Sequence, residues 1–267
     1  MKAPELSYYN IADGIISFST TRHGGCSRGN YGEFNINEYC GDEAEAIKEN
    51  RKALAAELGI DADHMIIPHQ THGIETRQIA EDFLSLPENI RKMILEGVDA
   101  VMTNIKGVCV GVSTADCIPI LLYDPEHEAV CAVHAGWRGT VARIVMKAVT
   151  EMRLAYQTIP SDLKAVIGPG ISLDAFEVGN EVYEEFANAN FEMDAISKQM
   201  KVAGTDFEYK WHIDLKECNR RQLLQCGINE ENILVSDVCT YNNVEDFFSA
   251  RRLGTASGRI YSGIIIR

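Results

Sequence analysis

Residues 108–139 read VCVGVSTADCIPILLYDPEHEAVCAVHAGWRG and contain three apolar runs in close succession. The runs extend from Val108 to Val112, from Ile118 to Tyr123 and from Ala129 to Val133. Their shortness and their content of β-branched residues are typical of buried strands. No helical pattern separates the runs, so this stretch predicts a sheet whose strands follow one another directly.

The chain on either side of this stretch predicts further strands alternating with a few long helices. Similar apolar runs indicate strands over residues 15–19, 65–67, 74–79, 100–102, 165–167 and 260–266. Periodicity and stop signals predict helices over residues 42–58, 139–156, 180–189 and 214–225. Residues 198–210 are polar and are expected to form an irregular surface excursion. The chain contains no repeat and no linker, so we predict one mixed α/β (α+β) domain over residues 1–267, with a central mixed sheet flanked by helices.

The composition excludes several classes of protein. Hydrophobic residues make up 46% and charged residues 24% of the 267 residues, which is an ordinary globular balance. No apolar run approaches the ~20 residues that a membrane-spanning helix needs. The net charge of −14 repels phosphate backbones. We therefore expect neither a membrane nor a nucleic acid as a partner.

The eight cysteines indicate a reducing compartment. They include no CxxC pair, and the first ten residues lack a secretion signal. We therefore predict free, mostly buried thiols in a cytoplasmic protein.

Reactive side chains follow three of the apolar runs, in the segments HQTHG (69–73), TADC (114–117) and HAGWRG (134–139). Two histidines and a cysteine beside a carboxylate are a donor set that zinc selects. Three protein ligands leave a fourth position open, as in catalytic zinc sites. The spacing alone leaves other interpretations open, because a histidine beside glycine also occurs in turns and a cysteine in an apolar run is often a buried thiol.

Several longer segments resemble the YfiH-like family, which is also called the multicopper polyphenol oxidase (laccase)-like family and is described as purine nucleoside phosphorylases. The resemblance covers nearly the full length and rests on TRHGGCSRGNYGEFNIN (21–37), HQTHG (69–73), STADCIPILLYD (113–124), AVHAGWRGT (132–140), IGPGI (167–171), FEVG (176–179) and FFSARRLGTASGR (247–259). It implies a YfiH/CNF-like architecture.

The resemblance also implies a metal and a pair of reactions. In the family, zinc is held by residues that match His72, Cys117 and His134. His69 does not match a ligand and is expected to support or pack near the site. The implied reactions are phosphorolysis of adenosine, inosine and 5′-methylthioadenosine, with phosphate as the second substrate, and deamination of adenosine.

These reactions suggest roles for further residues. Asp116 adjoins Cys117 and is our candidate for proton transfer, the alternative being that it only orients a ligand or caps a turn. With Cys117 and His134 it makes up the predicted catalytic set. Phosphate binding suits a guanidinium, which can donate two parallel hydrogen bonds. Candidates within the resembling motifs are Arg22, Arg138 and Arg251, or the neighbouring Arg252.

Three rival functions stay open from the sequence. A copper-dependent polyphenol oxidase follows from the older family name, since copper competes well for nitrogen and sulfur ligands. The chain has only seven histidines and no HxH pattern, which argues against several copper centres. A metal-free cysteine hydrolase would use Cys117 as nucleophile and His134 as base. A metal-buffering or redox-sensing protein would bind zinc without turning over a nucleoside.

Overall fold

The structure is a computed structural model that describes residues 2–202, 204–205 and 207–267. Its strands are, in chain order, β1 (Leu6–Tyr9), β2 (Ile15–Thr20), β3 (Met65–Ile66), β4 (Glu75–Gln78), β5 (Val98–Thr103), β6 (Cys109–Thr114), β7 (Ile118–Asp124), β8 (Ala129–Ala135), β9 (Lys164–Ile167), β10 (Glu177–Val178), β11 (Ser197–Lys201), β12 (Tyr209–Ile213), β13 (Ile233–Val235) and β14 (Ile260–Ile266). Its α-helices are α1 (Ala44–Leu58), α2 (Glu81–Ser85), α3 (Glu88–Ile94), α4 (Trp137–Val141), α5 (Ile144–Tyr156), α6 (Asn180–Asn188), α7 (Met193–Ile196), α8 (Leu215–Gln225) and α9 (Ala250–Leu253).

The described strands form three sheets, of which the two large ones mix parallel and antiparallel pairs and the small one is antiparallel. The largest has six strands in the order β13-β9-β7-β8-β5-β4, and the second has five in the order β1-β2-β14-β6-β3. A small sheet, β10-β12-β11, lies apart from them. The predicted strands and the mixed α/β class are confirmed. The described strands form three sheets instead of the one central sheet that was predicted.

Strand β8 explains how the layers are stacked. Val130 and Ala132 pack in one apolar cluster with residues of β6 and β14 from the five-stranded sheet. Cys131 and Val133, which point to the opposite face, pack in another cluster with helices α5 and α8. Because successive side chains alternate, the six-stranded sheet is covered on both faces. Burial of each aliphatic side chain there stabilises the folded state by roughly 1.5–3 kcal/mol, so this region is a firmly packed support for the strands.

The same alternation brings polar side chains to one end of the space between the two large sheets. His134 continues the series of Val130 and Ala132 on the inward face of β8, and Pro119 of β7 lies opposite it. Asp99 precedes Val101 by two residues on β5 and is completely buried. Asp99 and His134 therefore lie on strands, whose positions are fixed by packing.

The helix predicted over residues 139–156 is wrong in its boundaries. Two helices, α4 and α5, take its place, with a break at Arg143, whose φ is +65°. A guanidinium nitrogen of Arg143 donates a hydrogen bond to the carbonyl of Ala189. Apolar periodicity continues across the break, so the pattern alone hides it.

Two other sequence predictions also differ from the structure. Residues 198–210 were expected to be irregular, yet β11 and β12 pair antiparallel across this segment, while residues 203 and 206 lie outside the described residues. Helix α1 begins at Ala44 rather than at Asp42. The Asp42 carboxylate instead accepts hydrogen bonds from Ser27 and Asn35, which lie with it in the N-terminal loop (residues 21–43, between β2 and α1). The predicted stop at Gly59 is confirmed, with the left-handed conformation that glycine favours.

All eight cysteines are free thiols, but fewer are buried than predicted. Four are buried, three are half-buried and Cys26 is exposed. Within the described part of the chain, no helix combines the length and the apolar character needed to cross a bilayer.

Candidate metal centre

The structure brings together His72, Cys117 and His134, the three residues predicted as metal ligands. One ring nitrogen of each histidine and the Cys117 Sγ all lie within 4.8 Å of one another. The two imidazole centroids are 4.8 Å apart, and the rings are inclined at 75°. Over residues 2–202, 204–205 and 207–267, this is the one His/Cys/Asp/Glu group with such spacing.

His72 is positioned by a tight loop rather than by a strand. The loop lies between β3 and β4, and His72 adopts a left-handed φ of +63°. The carboxylate of Asp99 accepts hydrogen bonds from three successive backbone N–H groups, those of Thr71 (3.2 Å), His72 (3.0 Å) and Gly73 (2.8 Å). These bonds hold the loop over the end of the sheet, and they compensate the buried charge of Asp99.

Asp99 also orients His134. The His134 Nδ1 donates to Asp99 Oδ1 at 2.7 Å, which leaves Nε2 as the nitrogen available to a metal. Asp99 is not among the site residues predicted from the sequence. Its signal was present, because Asp99 is the one charged residue in a strand whose six residues are all buried.

A second contact fixes the same loop to the five-stranded sheet. The Gln70 side chain donates to the carbonyl of Ser113 at 2.8 Å and accepts from the Ser113 N–H at 2.7 Å. The Gln70 amide thus pairs with both backbone groups of Ser113, as a residue of a neighbouring antiparallel strand would. The loop that carries His72 is therefore tied to both large sheets.

Gly136 leaves the space in which the three side chains meet. A Cβ at this position would lie 2.9 Å from His72 Cδ2 and 3.1 Å from the Cys117 Sγ. The backbone of Gly136 is extended (φ −69°, ψ 170°), so any residue could adopt it. The glycine is therefore required by space around the donor atoms and not by backbone conformation.

The electrostatics of the group favour an ionised thiol. Burial raises the pKa of Cys117, but the charge and hydrogen bonds of His134 and His72 outweigh burial and lower that pKa to about 6. Burial lowers the pKa of His134, while Cys117 and Asp99 raise it to about 9. Cys131 has no such neighbours, and burial alone raises its pKa. The thiolate is the form that binds metals and attacks electrophiles, so Cys117 differs chemically from the core thiols.

The three residues lie in the wall of a cavity of about 280 Å³. The rest of the wall comes from the N-terminal loop, the loop between β3 and β4, the end of β6 and the C-terminal segment (residues 236–259, between β13 and β14): Asn37, Tyr39, Cys40, His69, Gln70, Ser113, Thr114, Ala115, Ala250, Thr255 and Arg259. Most of these side chains are polar. The cavity therefore offers donors and acceptors to a small polar ligand beside the group of three.

Asp116 lies next to Cys117 but outside the cavity wall. It adopts a left-handed φ of +86°. Its two carboxylate oxygens accept hydrogen bonds from the Thr240 hydroxyl and from the Arg251 backbone N–H, each at 2.7 Å. These contacts fix the turn that leads into β7, and hence the position of Cys117.

Two of the arginines predicted to bind phosphate have other partners. Arg22 donates to the carbonyls of Gly32 (2.9 Å) and Val244 (2.6 Å), which ties the N-terminal loop to the C-terminal segment. Arg138 is exposed, and its guanidinium lies 4.3 Å from the centre of the Trp137 ring. Neither side chain belongs to the cavity wall.

The arginine that lines the cavity, where it could bind phosphate, was not singled out from the sequence. Arg251 is exposed and donates to the carbonyl of Glu177, although its neighbour Ala250 lines the cavity. Arg259 is half-buried and lines the cavity, and its guanidinium is held by the carbonyl of Thr255 at 2.9 Å. It closes the motif FFSARRLGTASGR, so the resemblance contained the residue without indicating which arginine faces the ligand.

Comparison with known proteins shows the family of this chain and supports its fold. Residues 16–267 match the model of a family described as multi-copper polyphenol oxidoreductase laccase, and the chain belongs to this laccase-like, YfiH-like family. It is 46% identical over 260 residues to a purine nucleoside phosphorylase of Bacteroides thetaiotaomicron, covering 97% of this chain and 93% of the relative. It is 40% identical to adenosine deaminase RL5 from an unknown prokaryotic organism, covering 97% of each chain.

A solved structure is similar over the whole chain. The hypothetical protein YfiH of Bacillus licheniformis superposes with a TM-score of 0.88 at 27% identity, covering 99% of this chain and 97% of the other. The names of the relatives indicate an enzyme of the purine-handling kind.

Proposed function

We propose that this protein is a zinc-dependent purine nucleoside phosphorylase that also deaminates adenosine. Its substrates would be adenosine, inosine or 5′-methylthioadenosine, together with phosphate. The observation that carries the proposal is the convergence of His72, Cys117 and His134 in the wall of a polar cavity. The relatives named purine nucleoside phosphorylase and adenosine deaminase support it.

The donor set fits zinc. Zinc takes imidazole and thiolate ligands at about 2.0–2.3 Å, and small side-chain movements would bring the three atoms onto one ion. The lowered pKa of Cys117 supplies the thiolate, and the Asp99 bond to His134 fixes which nitrogen is presented. When bound, zinc supplies Lewis-acid chemistry and activates water near neutral pH.

The chain's own side chains would place the second substrate. Phosphorolysis needs a phosphate held against C1′ of the ribose, and Arg259 is the arginine that lines the cavity among the described residues. Its guanidinium donates hydrogen bonds to the backbone carbonyls of Ser257, Gly258 and Thr255. These bonds limit the motion of the guanidinium before a ligand binds. Arg251, a candidate from the sequence, adjoins the wall residue Ala250.

Asp116 is given a positioning role in this proposal. Both of its carboxylate oxygens already accept hydrogen bonds, from Thr240 and from the Arg251 N–H. A proton carrier needs an oxygen that can reach the substrate. Asp116 therefore supports the turn that presents Cys117.

The test is to incubate purified protein of measured metal content with adenosine, with and without phosphate. Phosphorolysis would release adenine and ribose 1-phosphate only when phosphate is present. Deamination would release inosine in both mixtures, and hypoxanthine would then follow when phosphate is present. If neither adenosine nor inosine is consumed by zinc-loaded protein, the proposal is wrong.

A second candidate is a metal-free cysteine hydrolase. Cys117 lies beside His134, and the Nδ1 of His134 donates to Asp99. This is also the spatial arrangement of a nucleophile, a base and a carboxylate that orients the base. Chelators would leave such an activity intact, whereas alkylation of Cys117 would abolish it. The zinc proposal expects both treatments to inactivate the enzyme.

The other two rivals are separated by direct measurement. Multicopper oxidation needs several copper centres, and the described residues provide one group of suitable ligands. Copper content together with oxygen consumption on a phenol would test it. A metal-buffering or redox-sensing protein would bind zinc and leave nucleosides unchanged.

We further propose a cytoplasmic setting, because all eight cysteines are free thiols.

A further inference from the structure

The cavity wall contains a third histidine that is outside the group of metal ligands. His69 lies three residues before His72, and its backbone N–H donates to the carbonyl of Leu95 at 3.1 Å. This pairing places His69 beside Glu96. The Nδ1 of His69 lies 2.8 and 2.9 Å from the two carboxylate oxygens of Glu96.

The ring of His69 is held on its face as well as at Nδ1. Tyr39 stacks on it, with the centroids 4.1 Å apart and the planes inclined at 22°. Both side chains line the same cavity as Cys117. Because a carboxylate accepts the Nδ1 proton, Nε2 is the atom that can exchange a proton with a ligand. Nε2 hydrogen-bonds to no residue that the structure describes.

Resting on the proposed phosphorolysis, we propose that His69 is the acid that protonates the departing purine and that Glu96 is its positioning residue. A phosphate oxygen forms a bond to C1′ while the C1′–N9 bond breaks and its electron pair passes into the purine. The purine N7 takes the proton from His69 Nε2, so the base leaves neutral. The proton that phosphate loses on forming the ester returns through solvent to His69.

The other cavity residues are less suited to this step. His72 and His134 are assigned to the metal, and Asp116 lies outside the wall with both carboxylate oxygens hydrogen-bonded. The thiol of Cys40 lies in the wall, but burial raises its pKa, which makes it a weaker acid. His69 is the remaining imidazole of the wall.

The test compares His69→Gln and Glu96→Gln with a matched control, His23→Gln. His23 is also paired with a carboxylate, that of Asp246 at 2.7 Å, and it lies outside the cavity wall. The exposed fractions of the two pairs are nearly equal, 34% and 60% for His69 and Glu96 against 37% and 58% for His23 and Asp246.

The substrates are inosine and its N7-methylated derivative, which leaves as a neutral base without protonation. We expect His69→Gln to lower kcat for phosphorolysis of inosine by roughly 10²-fold, as removal of a general acid does. Phosphorolysis of the N7-methylated substrate should stay within about 3-fold of wild type, because the acid has no task there. Glu96→Gln should show the same selectivity with a smaller loss. His23→Gln should match wild type on both substrates, and metal content should be unchanged in all three variants.

Two results would overturn the assignment of His69. One is an unchanged rate on inosine, and the other is an equal loss on both substrates, which would indicate binding or folding rather than proton transfer. A wild-type protein that phosphorolyses neither substrate would contradict the proposed function itself, and this proposal with it. An active wild type with an unaffected His69→Gln variant would overturn the His69 role alone.

Discussion

Two histidine–aspartate pairs lie at opposite ends of the β7–β8 hairpin. At one end, Nδ1 of His134 lies 2.7 Å from Asp99, and at the other, Nδ1 of His127 lies 3.0 Å from Asp124. Each aspartate is buried and also accepts backbone N–H bonds from a tight turn. The two ends of the hairpin therefore use the same local chemistry.

The two histidine–aspartate pairs differ in the residues that surround them. The side chain of His134 is 3% exposed and faces Cys117 and His72, whereas that of His127 is 33% exposed at a surface turn. A His–Asp pair at a turn stabilises the fold. The same pair becomes part of a candidate metal centre when a loop from elsewhere in the chain adds a thiol and a second imidazole.

The largest effect is expected from removing a ligand. Cys117→Ala or His72→Ala should abolish metal binding and lower both phosphorolysis and deamination by on the order of 10³-fold or more. The reason is that a Lewis-acid metal contributes several kcal/mol to the transition state, and about 1.4 kcal/mol is tenfold in rate. Metal content by mass spectrometry and initial rates would measure this.

The control for the ligand variants is Cys131→Ala, since Cys131 is a buried thiol of β8 outside the cavity wall. It should keep its metal and lower the free energy of unfolding by about 1 kcal/mol. Phosphorolysis that persists in metal-free Cys117→Ala would contradict a shared site for the two reactions.

The next effect contrasts the two aspartates directly. Asp99→Asn should weaken zinc binding by roughly 10–100-fold, because it removes the carboxylate that orients His134. Asp124→Asn should leave zinc affinity unchanged and lower only the melting temperature, since its turn lies at the other end of the hairpin. Competition with a zinc chelator and thermal denaturation would measure the two quantities. Equal zinc affinities in the two variants would contradict the role of Asp99 in orienting a metal ligand.

A smaller effect is expected from filling the space between the ligands. Gly136→Ala places a Cβ against His72 and Cys117 and should weaken zinc binding by roughly 10-fold, a change of the size seen for alterations around metal ligands. Gly73→Ala is the matched control, because its Cβ would meet Asp99 at an ordinary 3.5 Å. Zinc titration of both variants would measure the difference. Equal affinities would show that the space at Gly136 is not needed.

The smallest effect is expected at His127, the partly exposed member of the pair with Asp124. His127→Gln should change the free energy of unfolding by less than about 1 kcal/mol, because the His127 side chain is 33% exposed and Asp124 keeps its two backbone N–H bonds. Zinc content and both activities should equal those of wild type. Chemical denaturation and the adenosine assay would check this, and a loss of activity would mean that the turn end of the hairpin also takes part in function.

The sequence predicted the strands better than the segments that connect them. Runs such as Ile118 to Tyr123 are apolar because the six-stranded sheet is buried on both faces, so composition alone identifies them. The hairpin of β11 and β12 was missed because Ser197–Lys201 is polar, and backbone pairing stabilises it without an apolar pattern. The break at Arg143 was hidden by the helical periodicity on both sides.

For the candidate site, the residues were named from sequence motifs, and their proximity required the fold. The resemblance singled out His72, Cys117 and His134, and the structure places them together. Asp99 was detectable as a lone charge in an apolar strand, but its four partners depend on a loop 26 to 28 residues earlier and on a strand 35 residues later. Arg259 could not be separated from the neighbouring arginines, because all of them lie in one motif and only the fold shows which one lines the cavity.

The proposed function requires His72, Cys117 and His134 to bind a single ion on which both reactions depend. The most direct measurement strips the wild-type protein with a chelator and then titrates zinc back while following adenosine phosphorolysis and deamination. We expect both activities to disappear on stripping and to return together, reaching a plateau at one zinc per chain. Full activity in the stripped protein, or separate plateaus for the two reactions, would contradict the account.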